Sequence, residues 1–217
     1  NRVEVQKATG VYAQYQVGFS ERFELRVGGR YDDYDQRLEN RANSTVARAG
    51  ENRFSPQVGA VWRATPELSV YATYGENFRP LSGSDFAGNP FDPNLSESLE
   101  AGIKYASANG RLTATASVFS IQQGNILVAD PINAGFTVEG GEARSRGFEV
   151  DLQGEIADGL DLWVSYAYVD AEVENDAADP DFGKLIEAGD PLLNIPEHTL
   201  NVQLAYSTQI AGLDTRL

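Results

Sequence analysis

The chain has 217 residues, 41% of them hydrophobic, and its 17 basic and 32 acidic side chains leave a formal net charge of −15. This charge repels phosphate backbones and argues against a nucleic-acid partner. The sequence has no cysteine for a disulfide or a thiolate metal site, and no apolar run of the roughly eighteen residues that a membrane helix needs. Composition does not exclude a membrane-spanning barrel, because such a strand meets lipid only at every second residue.

Apolar residues recur at every second position in the first half of the chain, which is the period of a β-strand. Residues 11–19 and 23–31 form one alternating pair joined by a tight turn, and residues 56–62 and 68–74 form a second. The polar stretch between these pairs, residues 32–53, exceeds an ordinary hairpin connection of two to five residues. It is therefore predicted to be a long loop.

The second half of the chain repeats this scheme. Short turns join the members of each alternating pair, and long polar or Gly/Pro-rich stretches separate the pairs. The predicted strands are 99–105, 112–118, 147–156, 160–168 and 200–206, and the predicted long loops are 76–96, 122–141 and the acidic stretch 170–197.

Short turns and long loops thus alternate along a meander of about nine strands. For a single strand, a water-soluble sheet with one face on a core explains the alternation equally well. A soluble sandwich has no reason to sort its connections by length, whereas outer-membrane barrels have short periplasmic turns and long extracellular loops. The predicted fold is all-β, a transmembrane antiparallel β-barrel contributing about nine to ten strands.

Aromatic residues on the apolar parity support this fold, because amphipathic rings are favoured at both membrane interfaces. The opposite parity carries many charges, whereas no charge falls at mid-strand on the apolar parity, where Arg or Lys would cost ~2–4 kcal/mol. The aromatic residues beside the short turns are Phe19, Phe23, Trp62, Tyr105 and Tyr206, and those beside the long loops are Tyr31, Tyr74, Tyr166 and Tyr168.

Several segments, in this order, carry a resemblance to a known family: GVYAQYQV, FSPQVGAVWRATPELSVYATYGENFRPLSG, LSESLEAGIKY, VEGGEARSRGFEVDLQGEI and NIPEHTLNVQLAY. The sequence resembles the TonB-dependent outer-membrane receptors, in particular siderophore receptors of the ferric-hydroxamate (ferrichrome) type. The resemblance implies a barrel of about twenty-two strands filled by an N-terminal plug. Residues 1–217 are then expected to be an internal part of the barrel domain, with the plug and closing strands outside this sequence.

The resemblance also implies a location and partners. A Gram-negative outer membrane with its lipopolysaccharide would surround the barrel, a ferric siderophore would be the ligand, and the inner-membrane protein TonB would supply energy. Receptors for cobalamin, haem or oligosaccharides share the scaffold and stay open as alternatives. So does a small self-contained structural or adhesive outer-membrane barrel. No enzymatic activity, cofactor or resident metal is expected.

A large chelate needs aromatic rings and polar donors that face the lumen at the outer mouth. The predicted long loops supply both kinds of side chain. Packing within a loop is the alternative role for each of them. The candidate ligand-binding residues are Phe78, Arg79, Phe86, Phe91, Gln123, Asn125 and Phe136.

Three further sites are considered. Arg144 and Arg146 lie where basic groups at the outer rim would bind lipopolysaccharide phosphates. The only histidine, His198, has no assignable Asp or Ser partner for hydrolase chemistry, so a rim or hydrogen-bonding role is expected. Carboxylates at Asp179 and Asp181 suit Ca²⁺, but they lack a recognisable loop spacing, and a solvated charge run is the favoured interpretation.

Overall fold

A computed structural model describes residues 2–42, 44–178, 185–211 and 213–217, and all regular structure in these ranges is β. No helix among them is long and apolar enough to cross a membrane. The strands are β1 (Arg2–Gly18), β2 (Phe23–Asn40), β3 (Thr45–Arg63), β4 (Leu68–Arg79), β5 (Asn94–Ala106), β6 (Leu112–Ala129), β7 (Thr137–Ala157), β8 (Leu160–Val173), β9 (Ala177–Ala178), β10 (Leu185–Ile186), β11 (His198–Ile210) and β12 (Leu213–Arg216).

Ten of these strands form one antiparallel sheet in the order β1-β2-β3-β4-β5-β6-β7-β8-β11-β12. The other two, β9 and β10, pair with each other as a separate ribbon. Successive strands of the large sheet are neighbours, as in a meander, and within the described residues the sheet is open, with β1 and β12 at its edges. The predicted antiparallel fold of about nine to ten strands is confirmed.

The strand register brings the apolar parity of every strand to one face of the sheet, here called the apolar face. Val27 lies opposite Val58, which in turn lies opposite Tyr74, and Val118 lies opposite Phe148. Val27, Val58, Val118 and Phe148 are exposed. An exposed apolar surface this extensive marks a contact with a membrane or another protein, and the predicted transmembrane strands favour the membrane.

The opposite side of the sheet, here called the polar face, carries hydrogen-bonded and charged groups. Tyr71 lies opposite Gly102, whose missing side chain leaves room for the ring. The Tyr71 hydroxyl donates to Glu100 at 2.5 Å, and Lys104 Nζ lies 5.0 Å from the ring centroid. Facing side chains thus satisfy one another along a polar groove of about 530 Å³.

The predicted long loop at residues 32–53 is wrong. The β2–β3 ladder continues to the pair Asn40 and Thr45, so only four residues separate the two strands. Likewise β6 and β7 extend into residues 122–141, leaving only residues 130–136 between them. Backbone pairing continues where the apolar alternation stops, because strands beyond the membrane need no apolar face.

The sheet divides near its long-loop end. The β3–β4 ladder stops at Gln57 and Gly75, whereas β1, β2 and β3 remain paired well beyond that level. Residues 2–13, 29–40 and 45–56 therefore form a three-stranded extension separated from β4. A side-chain link crosses the gap, with Arg53 Nη2 lying 3.9 Å from Glu76 Oε2.

Candidate functional site at the long-loop end

Loop 80–93 folds inward and covers the polar face of the three-stranded extension. Tyr34, Gln36 and Leu38 alternate along β2 and are buried, while residues 33, 35 and 37 between and before them are exposed. Leu81 and Phe91 of the loop are buried as well. These residues make a small protein core at the end of the sheet where the long connections lie.

The start of loop 80–93 is anchored by a carboxylate on β1. Glu4 accepts hydrogen bonds from Gln6 Nε2 at 2.5 Å, Gln36 Nε2 at 2.7 Å and the Gly83 backbone amide at 3.3 Å. The two glutamine amides also donate to the Leu81 carbonyl, each at 3.3 Å. A partly buried carboxylate with several donors is a strong constraint, since leaving those groups unpaired is costly.

The end of the same loop is anchored on β6 and β7. Asn94 Nδ2 donates to the Gly124 carbonyl at 2.6 Å, and Asn125 Nδ2 donates to the Pro93 carbonyl at 2.9 Å. Asn125 has a φ of 55°, a left-handed conformation that asparagine tolerates. The Asp92 amide also donates to Glu139. The loop therefore spans from the β1–β2 side of the mouth to the β6–β7 side.

An aromatic pair joins loop 80–93 to loop 130–136. The rings of Phe86 and Phe136 meet edge to face, with centroids 5.0 Å apart and an interplanar angle of 89°. This is a favoured geometry for aromatic pairs. Loop 130–136 is itself closed by Asp130, which accepts from the amides of Ile132 at 2.8 Å and Asn133 at 3.0 Å.

The acidic groups of these loops differ in proton affinity. The hydrogen bonds from Asn133 and from the Ile132 amide lower the pKa of Asp130. Burial acts to raise the pKa of Asp85, but hydrogen bonds from the Asn89 side chain and backbone outweigh it and lower that pKa. Burial raises the pKa of Glu139, partly offset by the Asp92 amide.

The structure brings some of the predicted ligand-binding residues together and separates others. Arg79 and Gln123 lie on the polar-face parity and are exposed, and Phe86 and Phe136 form the aromatic pair described above. Phe91 is buried within the loop, and Asn125 braces it.

Phe78 does not face the polar side as expected. It shares the parity of Tyr74 and lies opposite Leu95, on the apolar face. The expectation that it faces the lumen is therefore wrong. The β4–β5 ladder continues without interruption beyond Glu76 and fixes the side of the sheet on which Phe78 lies. The sequence alone had placed Phe78 in a loop, where this parity could not be followed.

Glu4, Gln6 and Gln36, which anchor the start of loop 80–93, were not identified from the sequence. Their only local signal is a period-two alternation of Asp32, Tyr34, Gln36 and Leu38, which mixes polar and apolar types. The contact between residues so distant along the chain appears only once β1 and β2 are paired.

Arg144 and Arg146 lie on the apolar-face parity, beyond Phe148 towards the long loops. Arg144 pairs with Glu172 and, at 3.1 Å, with Glu174, while Arg146 lies 3.2 Å from Asp170. Three carboxylates thus surround two guanidinium groups. The proposed phosphate-binding role stays a prediction, and a phosphate would have to compete with these partners.

An aromatic cluster lies below this rim. Phe148 packs against Tyr166 and Tyr168, with centroid distances of 5.7 and 5.8 Å, and the Tyr166 hydroxyl is 2.9 Å from His198 Nδ1. His198 thus has a hydrogen-bonding role. Asp179 and Asp181 lie outside the described residues, and within the described ranges no group of three or more His, Cys, Asp or Glu could hold a metal ion.

The family model for TonB-dependent receptor-like β-barrels matches residues 1–216. The chain belongs to this family. The metal-pseudopaline receptor CntO of Pseudomonas aeruginosa is 36% identical over 205 residues, which cover 92% of this chain and 28% of that protein. The ferrichrome outer membrane transporter/phage receptor of Escherichia coli is 31% identical over 202 residues, covering 93% and 26% respectively. The chain thus spans between a quarter and a third of these receptors.

Solved structures of the family have the same fold. The ferripyoverdine receptor of Pseudomonas aeruginosa, bound to ferripyoverdine, superposes with a TM-score of 0.75 at 25% identity, covering 96% of this chain and 27% of that one. The siderophore receptor PiuA of Acinetobacter baumannii gives a TM-score of 0.77 at 22% identity, covering 94% and 31%. At 22% identity, the likeness to PiuA shows a shared fold and nothing about function.

Family membership places these strands in a Gram-negative outer membrane. The apolar face is then the lipid-facing surface, and the polar face lines the lumen. In such barrels the short turns are periplasmic and the longer connections extracellular. Loop 80–93 consequently lies at the extracellular mouth and folds into the lumen.

Proposed function

We propose that the receptor containing this chain binds a ferric siderophore at its extracellular mouth and imports it with energy supplied through TonB. The observation that carries the proposal is the match of residues 1–216 to the TonB-dependent receptor barrel, together with a ferrichrome transporter among the relatives. The polar luminal face and the inward-folded loop 80–93 support it. They provide a wet channel and a structured entrance above it.

Residues 1–217 would then form one part of the barrel domain. The chain's share of its relatives, 28% and 26%, leaves room for further strands and for a plug with a TonB-binding segment elsewhere in the receptor. The intact mass of the native protein, extracted without protease, tests this proposal. A mass well above 23.6 kDa is expected, and a mass equal to it would instead support a small self-contained barrel.

Within the mouth, we assign ligand contact to four of the candidate residues: Arg79, Gln123, Phe86 and Phe136. The first two are exposed on the luminal parity, and the aromatic pair lies where two loops meet. Phe91 and Asn125 act as positioning residues, since one is buried in the loop and the other is bonded to it. Phe78, on the lipid-facing parity, has the least support.

A second candidate ligand is a chelate whose metal need not be iron. It is supported by the 36% identity to a receptor for metal-pseudopaline, a name that specifies no particular metal. Cobalamin, haem and oligosaccharides have no such support among these relatives. In either case the receptor would bind and carry its ligand without chemical change, and recovery of intact chelate after uptake would test that.

Equilibrium binding to the purified full-length receptor tests the proposal. The probes are iron(III) trihydroxamate and iron(III) catecholate chelates, the same ligands without metal or with a divalent metal, and cobalamin and haem as competitors. Saturable binding that prefers a metal-loaded siderophore is expected. Binding of cobalamin or haem alone would contradict the proposal.

Uptake by cells tests the residue assignments. Arg79→Ala is expected to lower uptake of the bound chelate without lowering receptor abundance. Arg22→Ala is the matched control, because Arg22 is an exposed arginine in the periplasmic turn between β1 and β2. Equal uptake by both variants would remove Arg79 from the site.

We also propose that Arg144 and Arg146 contact lipopolysaccharide phosphates. Their position on the lipid-facing parity, above an aromatic cluster, supports this role. Arg146→Gln is expected to reduce the lipopolysaccharide that copurifies with the receptor, whereas Arg111→Gln at the periplasmic end is not. Unchanged copurification in the Arg146 variant would contradict the proposal.

A further inference from the structure

A small cavity lies at the top of the luminal face, between the β2–β3 turn and loop 80–93. It measures about 130 Å³, far less than the roughly 300–1,000 Å³ of pockets that enclose a whole ligand. A single functional group fills a space of this size. Its lining includes Arg2, Leu38, Asn40, Ala47, Ser84 and Phe86.

The cation of this cavity is Arg2, and it has unused donors. Its guanidinium donates to Ser84 Oγ at 3.2 Å, and no carboxylate of the described residues lies within ion-pair distance of it. A guanidinium has five N–H donors, so most of them are available to a ligand. Arg30, Arg37 and Arg53 on the same extension are all paired with carboxylates.

The other walls favour an anionic group at this point. Leu38, Ala47 and the Phe86 ring give the cavity an apolar wall, beside which a charge interaction is stronger than in bulk water. Glu39 also lines the cavity, but its carboxylate is engaged by Arg37 at 3.2 Å and Arg41 at 3.5 Å. Among the described lining residues, Arg2 is the one cationic side chain.

We propose that this cavity is a subsite for a carboxylate of the bound chelate, with Arg2 as its counter-ion. The planar guanidinium matches a carboxylate through two parallel hydrogen bonds. Phe86 links the subsite to the Phe86–Phe136 pair, so one loop presents both an anion contact and an aromatic contact. The inference rests on the proposed function and narrows it to carboxylate-bearing, anionic metal chelates.

Two chelates and two arginine variants of the full-length receptor test the subsite. The chelates are an iron(III) complex with a free peripheral carboxylate and an uncharged iron(III) trihydroxamate. Arg2→Gln is expected to weaken binding of the carboxylate chelate about tenfold or more, as for loss of a charged hydrogen bond, while the trihydroxamate changes less than about twofold. Arg2→Lys should restore part of the affinity.

Arg48→Gln is the matched control, because it removes the same charge from the same three-stranded extension on the opposite face. It should leave both affinities unchanged. Ser84→Ala removes the neutral partner of Arg2 but keeps the cation, and it should retain the preference for the carboxylate chelate. Added salt should weaken binding of the carboxylate chelate in the wild type more than in Arg2→Gln.

Three results would each overturn the subsite while leaving the proposed function standing. The first is an equal loss for both chelates in Arg2→Gln, and the second is an equal loss in Arg2→Gln and Arg48→Gln. The third is a wild-type receptor that binds the trihydroxamate but not the carboxylate chelate. Failure of every metal chelate to bind would overturn the proposed function and the subsite with it.

Discussion

The spanning part of the sheet and its extracellular end are stabilised in different ways. In the spanning part, apolar side chains such as Val118 and Leu200 are 58% and 64% exposed, and they depend on lipid for burial. At the extracellular end the buried residues lie on the luminal side instead. Tyr34, Gln36 and Phe91 are only 2%, 1% and 3% exposed there.

This difference separates the scaffold from the site. The lipid determines which side of the spanning strands is apolar, and almost any apolar residue satisfies that demand. The extracellular core depends on specific partners, since Glu4, Gln36 and the Leu81 carbonyl must meet in one arrangement. Loop 80–93 is therefore held by a polar, sequence-specific core.

The largest expected effect comes from placing a charge on the lipid-facing side. Ala116→Arg puts a guanidinium in the middle of the lipid-facing side of β6, and the unfolding free energy in lipid vesicles should fall by about 2–4 kcal/mol. Thr115→Arg is the matched control, because the adjacent residue faces the lumen, opposite Lys104 and Asp151. Equal losses in the two variants would contradict the assignment of faces.

The next effect concerns the polar core. Gln36→Ala leaves Glu4 and the Leu81 carbonyl without a buried donor, which should cost about 1–3 kcal/mol of local stability. Amide hydrogen exchange of residues 81–84 should accelerate accordingly. Asp35→Ala, at an exposed neighbour on the other side of β2, should leave this exchange unchanged. If these amides exchange as slowly in the Gln36 variant as in the wild type, Gln36 does not hold the loop in place.

A smaller effect is expected at the aromatic link between the two loops. A double-mutant cycle on Phe86→Ala and Phe136→Ala should show a coupling of about 0.5–1.5 kcal/mol in loop opening, measured by hydrogen exchange. A cycle on Phe86→Ala and Phe54→Ala is the control, since Phe54 lies on the lipid-facing side. Strict additivity in the first cycle would show that the rings do not stabilise each other.

The smallest effect is a pH dependence in loop 130–136. The folded loop lowers the pKa of Asp130, so its contribution to stability is present above the unfolded value of about 3.9 and is lost as pH falls through the lowered pKa. An NMR titration of labelled aspartate should give a midpoint below the ordinary range. Asp130→Asn should remove this dependence. A midpoint at or above the ordinary value would contradict the hydrogen-bonded turn.

The sequence predicted the spanning strands well, because lipid imposes a period-two pattern that needs no knowledge of partners. It failed beyond the membrane, where residues 32–53 continue the β2–β3 ladder without an apolar parity. The same limit applies to the mouth. Phe91 and Phe86 look alike in the sequence, yet one is buried in the loop and the other meets Phe136.

The central claim is that alternate residues of each strand face lipid and lumen. Residues 1–217 contain no cysteine, so single cysteines at positions 113 to 118 can each carry a fluorophore in the receptor reconstituted in vesicles. A lipid-borne quencher should act strongly at positions 114, 116 and 118 and weakly at 113, 115 and 117. Uniform quenching, or the opposite alternation, would contradict the membrane-spanning barrel.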